Sequence, residues 1–393
     1  MKTIIYTGAF RFPIGDAAAA RVLNNAKIFR ALGYNVIFVS YGGCTNESDK
    51  GEDGNYYYDG FKYIISADID VLDMNIIKRI YNFFHSGRKA LKIITNMQSN
   101  FDIVIAYNPS MFFTNKMQSL CNKYNVSFVS DITEWYDSNE FPGGRFSPPA
   151  LINNFNMHLT QRTVRNKILI SSFLDKFYKS SNNIVLPPLV DSNDVKWSCI
   201  KQVLPYFDGV RVIYAGTPAK KDLLEIMLDA VFSCLKRGIK LQFVVVGVTK
   251  DDISDYKNYQ DVLTFPDNII FCGRVLQTEV PSYYNVSDFS IIVRKLSRKS
   301  MAGFPTKLAE TMMAGCPVLL NYTSDISKYI EHGYNGLIMS NWSAIELEKA
   351  LLYIVNLSRE DIERLKANAL KCGLDKFNYS NYIETTKIFL KSL

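Results

Sequence analysis

Between Gly303 and Val318 the chain reads GFPTKLAETMMAGCPV, a run that combines a backbone-exposing turn, a helix start and an acidic side chain. Pro305 presets φ as a first-turn residue should, so the backbone N–H groups near Thr306 to Leu308 can point at an anion at the positive helix end. Gly303 lets the backbone come close to that anion. Glu310 falls about one helical turn beyond Thr306 and Lys307, where a carboxylate can accept two hydrogen bonds from a ribose diol. Together these groups suit a phosphorylated, hydroxyl-rich ligand. The same letters also describe an ordinary capped helix that ends at Ala314-Gly315, with Pro317 opening the next strand.

Other residues invite chemistry less directly. The loop Pro13-Ile14-Gly15-Asp16 follows a first strand and precedes a helical run, so Gly15 either lets the backbone approach a phosphate or makes a simple turn. Asp131 and Glu134, in VSDITEW, follow a fifth strand. Each suits a contact with a ligand in a crevice at the strand ends, and their spacing equally suits a helical capping pair. His85, His158 and His332 stand in unrelated contexts and read as structural, so none is assigned as a base. Asp251-Asp252 is the nearest imitation of a metal-binding acidic pair, and it reads as the start of a surface helix.

Short apolar runs alternate with longer helical patterns, as in parallel sheets joined by crossover helices. Strands are expected at 3–7, 35–40, 61–66, 102–107, 126–130, 167–170 and 183–186, which make one doubly wound α/β domain. A second series at 210–215, 241–246, 268–271, 288–293, 316–320 and 336–339 makes another. Leu186-Pro187-Pro188-Leu189 breaks the rhythm, which sets the domains at 1–190 and 209–375 with a linker at 191–208. Residues 376–393 read as a terminal helix. The polar, acidic segment from Gly42 to Gly60 reads as a flexible loop.

A chain of 393 residues with 48% hydrophobic content suits two compact cores. Its seven cysteines form no CxxC pair and no Cys/His cluster, which points to a reducing compartment and away from structural zinc. Thr3-Ile4-Ile5-Tyr6 is too short for a signal core, and no apolar run is long enough to span a bilayer, so a soluble or peripheral protein is expected. The formal net charge of +7 is modest for this size and no recognition motif accompanies it, so nucleic acid is not expected as a partner. From Asn75 to Asn100 there are Lys78, Arg79, Arg88, Lys89 and Lys92 with no acidic residue, interleaved with apolar side chains. Such a stretch fits either a basic helix lying on an anionic membrane or a crossover helix with solvated lysines.

FPTKLAETMMAGCPV resembles the donor-site segment of retaining glycosyltransferases of family 4, which share the GT-B fold of two Rossmann-like domains facing a central cleft. YAGTPAKKD, from Tyr214 to Asp222, resembles the strand, glycine turn and lysine that begin that family's C-terminal domain. Ile270 to Val275, then Tyr283-Tyr284 and Ser287-Asp288, resembles its next strand and following helix. Arg294 resembles an arginine seen in a polysaccharide-building subgroup. Gly8 to Gly15, Arg21 and Gly33-Tyr34-Asn35-Val36 resemble the family's first glycine loop, helix and second strand. The resemblance covers most of the chain. Many relatives carry another glutamate eight positions before Glu310, where this chain has Ala302.

The resemblance implies donor binding by Gly15, Gly216, Thr217, Arg274, Val275, Phe304, Pro305, Thr306, Lys307, Leu308 and Glu310, with the base along Arg274 and Val275. Lys221 and Arg294 would hold the leaving diphosphate as its charge grows. Asp131 and Glu134 would stand on the acceptor side, and Lys221, Arg294, Glu310 and Asp131 form the expected catalytic set. The implied reaction moves a sugar from a nucleoside diphosphate, UDP being the commonest in that family, to a hydroxyl of a glycan or lipid-linked acceptor with retention. The acceptor attacks the face the diphosphate leaves, so positioning and charge stabilisation replace a dedicated base. Neither a metal nor a cofactor is implied, the nucleotide sugar being a substrate. The implied setting is surface polysaccharide or capsule biosynthesis at the cytoplasmic membrane face, with the terminal helix packed back on the first domain. Two other readings use the same donor wall: a sugar-nucleotide epimerase or hydrolase, which needs further acid and base groups, and a non-catalytic GT-B partner subunit. Ala302 favours the latter, and Lys221, Arg294 and Glu310 oppose it.

Overall fold

The computed structural model describes residues 1–68, 86–97, 100–179, 182–201, 203–217 and 222–393. The chain forms two compact units, Met1–Leu189 with Tyr379–Leu393, and Val190–Asn378. Each is a Rossmann-like α/β domain built on a largely parallel sheet.

The first unit contains strands β1 (Thr3–Phe12), β2 (Asn35–Gly43), β3 (Tyr56–Tyr58), β4 (Phe61–Ile65), β5 (Ile103–Tyr107), β6 (Ser127–Ile132), β7 (Asn166–Leu169) and β8 (Asn182–Val185). Their order is β3-β4-β2-β1-β5-β6-β7-β8, and only β3 runs antiparallel to its neighbour. Successive residues of β1 serve opposite faces, as strand geometry requires. Ile4 and Tyr6 pack with Val22, Ala26 and Phe29 of α1 (Ala17–Ala31) and with Phe389 and Leu390 of the terminal helix Ile383–Lys391. Ile5 packs on the other face with Ala90 and Ile94 of α2 (Arg88–Asn96) and with Phe113 and Met117 of α3 (Met111–Tyr124).

One expectation changes here. The segment from Gly42 to Gly60 is not a plain flexible loop: after β2 it makes a 3₁₀ turn at Glu47–Asp49 and then β3, which forms a hairpin with β4. Tyr58 pairs with Phe61 across Asp59-Gly60, whose φ values of 48° and 75° are those of a tight two-residue turn. The basic stretch also resolves in part. Residues 69–85, 98 and 99 lie outside the described residues, but α2 is a crossover helix whose Ala90 and Ile94 are buried against the sheet, with Arg88, Lys89 and Lys92 exposed. Its apolar side is therefore closed to a membrane.

The second unit contains β9 (Val210–Ala215), β10 (Leu241–Val246), β11 (Ile269–Gly273), β12 (Phe289–Ile292), β13 (Val318–Asn321) and β14 (Gly336–Met339). Their order, β11-β10-β9-β12-β13-β14, is fully parallel. β9 and β10, VRVIYA and LQFVVV, are buried along their whole length, as central strands covered on both faces must be. Helices α5 (Leu224–Lys236) and α7 (Ala344–Ile354) cover one face through Met227, Val231, Leu347 and Leu351. Residues expected as a linker are tied to this unit: the Lys201 N–H donates to Ser282 Oγ at 3.1 Å, and the Arg211 guanidinium to the Pro205 carbonyl at 2.6 Å. No helix among the described residues is long and apolar enough to cross a membrane.

Candidate functional site

In the second unit the strand order reverses between β9 and β12, the point at which open α/β sheets form a crevice at their carboxyl ends. β9 leads into Gly216 and β12 into Arg294. Gly216 has φ +139°, which strains any other residue, and a Cβ there would lie 2.6 Å from Lys307 Nζ and displace it. Lys307, near the start of α6 (Thr306–Met313), places Nζ 3.9 Å above the Tyr214 ring and donates to Asp222 Oδ2 at 2.6 Å. The Tyr214 hydroxyl donates to the same oxygen at 3.0 Å.

Asp222 also faces Arg294. Its Oδ1 lies 3.3 Å from Arg294 Nε, and both atoms are buried without an aligned hydrogen bond among the described residues. The two residues form an isolated antiparallel bridge, and the Leu223 N–H donates to the Val293 carbonyl at 3.3 Å. Burial pushes the Asp222 carboxyl up, but Lys307 and then Arg294 outweigh it, so it titrates below its ordinary value. The Tyr214 hydroxyl is pushed up by burial and by Asp222. Two cations against one carboxylate leave this cluster with a single net positive charge. The sequence had assigned no role to Asp222. Its signal is its place at the end of YAGTPAKKD, a few residues past a glycine turn.

Pro305 is the residue before α6 and not its first member: it is extended, with φ −71° and ψ 102°, and the helix begins at Thr306. The Leu308 N–H donates back to the Pro305 carbonyl at 3.0 Å, so that group is not available to an anion as expected. The Thr306 N–H has no hydrogen-bond acceptor among the described residues. Phe304 and Leu308 turn their side chains into the core, Phe304 against Tyr329 and Phe377 at 5.4 and 6.2 Å, which anchors the turn. Glu310 is half-buried, and no described residue hydrogen-bonds or ion-pairs with its carboxylate. Burial and then Glu310 push the neighbouring Tyr284 hydroxyl well up. Ala302 is fully buried.

Thr217 is exposed beside Gly216, whereas Lys221 lies outside the described residues. Arg274 is exposed just beyond β11, two strand positions from β9, and Val275 beside it is half-buried. Asp251 and Asp252 start a short 3₁₀ turn, with Asp252 accepting from the Thr249 N–H at 2.8 Å.

The first unit corrects one assignment. Asp131, at the end of β6, is fully buried: it accepts from the Tyr6 hydroxyl at 2.6 Å and from Arg21 Nη2 at 2.8 Å. Arg21 Nη1 donates to the Leu186 carbonyl at 3.0 Å. The carboxylate therefore joins α1 to β6 and offers no surface to an acceptor. Glu134 is half-buried and lines a cavity of about 340 Å³ with Asn108, Ser110, Tyr136 and Asn156, at the carboxyl ends of β5 and β6. Burial and Glu134 push the Tyr136 hydroxyl up. Gly15 is exposed, and a Cβ there would come within 2.5 Å of Arg11 Cβ, so its own loop already requires glycine. Asp16 caps α1 by accepting from the Ala19 N–H at 2.8 Å. His158 packs on Trp135 and Phe177, and His332 accepts from the Ile338 N–H at 3.0 Å, while His85 lies outside the described residues.

Residues 209–356, which contain the whole β9–β12 crevice, match the family of glycosyl transferases group 1. The fold of the chain is similar to that of sucrose-phosphate synthase from Thermosynechococcus elongatus, at TM-score 0.75 and 14% identity over 100% of this chain and 99% of that one. A glycosyltransferase from Rickettsia africae is similar at TM-score 0.68 and 15% identity, covering 99% and 98%. HepE of Anabaena, solved in complex with UDP, is similar at TM-score 0.69 and 15% identity, covering 100% of both chains. No curated protein matches the chain significantly by sequence. At these identities the structural likeness establishes the fold, that of GT-B glycosyltransferases with two Rossmann-like domains. With the group 1 domain it supports a glycosyltransferase.

Proposed function

We propose that the protein is a retaining glycosyltransferase that moves a sugar from a UDP-type donor to a hydroxyl of a glycan or lipid-linked acceptor. The observation that carries this reading is the Glu310 carboxylate, without a partner among the described residues and one turn along α6 from the open Thr306 N–H. A ribose diol on Glu310 and a diphosphate at the helix start use both groups. The solved HepE complexes with UDP and UDP-glucose are the relatives that suggest this donor class.

In this scheme the backbone at Gly216 and Thr217 approaches the diphosphate, and Lys307 and Arg294 face it as the glycosidic bond breaks. Asp222 holds those two cations in place. Their fixed charge stabilises the leaving group. Lys221 adds a further cation in the proposal, and Arg274 and Val275 flank the base. The acceptor occupies the cavity beside Glu134. Its hydroxyl oxygen bonds to the anomeric carbon on the face the diphosphate leaves, and its proton passes to a leaving-group oxygen. Catalysis proceeds without a metal, and the product extends a surface polysaccharide at the cytoplasmic membrane face.

Turnover tests this reading. UDP release from a panel of UDP-sugars, with and without saccharide acceptors and with chelator, is expected to require both substrates and to survive chelation. Proton NMR of the new linkage is expected to show the donor's anomeric configuration. Release without an acceptor would point to a hydrolase, and tight UDP binding without any turnover to a partner subunit.

A further inference from the structure

The helix after β6 has two contrasting faces. α4 (Pro148–Phe155) continues through a π turn, Asn156–Thr160, into Gln161–Thr163. Its inner face closes the cavity beside Glu134 through Ile152, Asn156 and Met157. Its outer face presents Leu151, Phe155 and Leu159 at 51%, 59% and 52% exposure, with Phe146 just ahead at 81%. Four-residue steps drift around an α-helix, and the wider π turn takes that drift back, so the three side chains keep one line.

Within the segment that carries this stripe the charges have one sign. Arg145, Arg162 and Arg165 are exposed beside it, and no acidic residue occurs between Glu140 and Asp175. Scattered surface leucines need no explanation, but a row of four large apolar side chains in a segment whose only charged residues are basic does. We propose that this face docks on an anionic phospholipid surface, the stripe entering at the headgroup boundary and the arginines meeting lipid phosphates. A second copy is the poorer occupant, because two-fold pairing sets the same patch on itself and brings cation against cation. The surface is separate from α2, the described part of the basic stretch. It stands apart from the transferase reading, since no residue of the stripe belongs to the nucleotide crevice.

The test is flotation of the full chain with phosphatidylcholine vesicles, with and without phosphatidylglycerol. Binding is expected only with phosphatidylglycerol, to weaken with salt, and to fall about tenfold in Phe155→Glu and in Leu159→Glu. Phe155→Trp is a second probe, with blue-shifted emission expected on adding anionic vesicles. UDP affinity is expected to stay unchanged in all three variants, so failure here and failure of the donor site are read separately. No binding by the wild type, equal binding by the glutamate variants, or a dimer that those substitutions dissociate in the absence of lipid would each overturn the proposal.

Discussion

Lys307 Nζ lies 2.6 Å from Asp222 Oδ2, joining residues 85 positions apart. The pair fixes the lysine above the Tyr214 ring and against Gly216, so the cation at the strand reversal is positioned before any ligand arrives. Removing one member of a buried charge set strands the others. Asp222→Ala is therefore expected to destabilise the second unit by about 3–5 kcal/mol, read from urea unfolding. A loss below about 1 kcal/mol would show that the cluster does not organise the crevice.

The same carboxyl sets a pH dependence. Its folded pKa is depressed, so its contribution is complete above the ordinary carboxylate range and is lost as pH falls through the depressed value. The stability difference between wild type and Asp222→Asn should stay constant from neutrality down to that range and shrink only below it. A difference that shrinks already near neutrality would contradict the assignment.

Lys167 acts in the same direction, at alkaline pH. It is fully buried, and burial pushes its ammonium down to about 8. Between that value and the ordinary lysine pKa the unfolded chain binds more protons, so stability should rise with pH through this window. Lys167→Met should abolish the rise, as followed by melting temperature across alkaline buffers.

Gly216→Ala should cut UDP affinity at least about tenfold, because the new methyl group meets Lys307 and the backbone holds φ +139°. Calorimetric titration checks this, and an unchanged affinity would remove Gly216 from the donor site.

Asp131→Asn should act on stability first. The buried Arg21 loses its counter-charge, which costs about 3–5 kcal/mol. A stable variant with selectively lost turnover would restore the acceptor role set aside on geometry.

Much of the frame was legible from local pattern. The apolar runs at 210–215 and 241–246 fall on β9 and β10 without adjustment, because a central parallel strand buries every residue. Long-range pairing was not legible. Asp131 looked available because its partner Arg21 stands 110 residues earlier, and Asp222 attracted no role because Lys307 comes so much later. The β3–β4 hairpin was missed for another reason: acidic, polar composition outweighed the Asp59-Gly60 turn that specifies it. Pro305 was placed one position too far into the helix, a boundary shift that decides which N–H groups remain open.

Titration calorimetry of UDP into wild type and Glu310→Gln tests the central claim most directly. The account predicts binding to the wild type, at least about tenfold weaker binding to the variant, and equal melting temperatures for the two unliganded proteins. Equal UDP affinity in both proteins would contradict the placement of the ribose on Glu310.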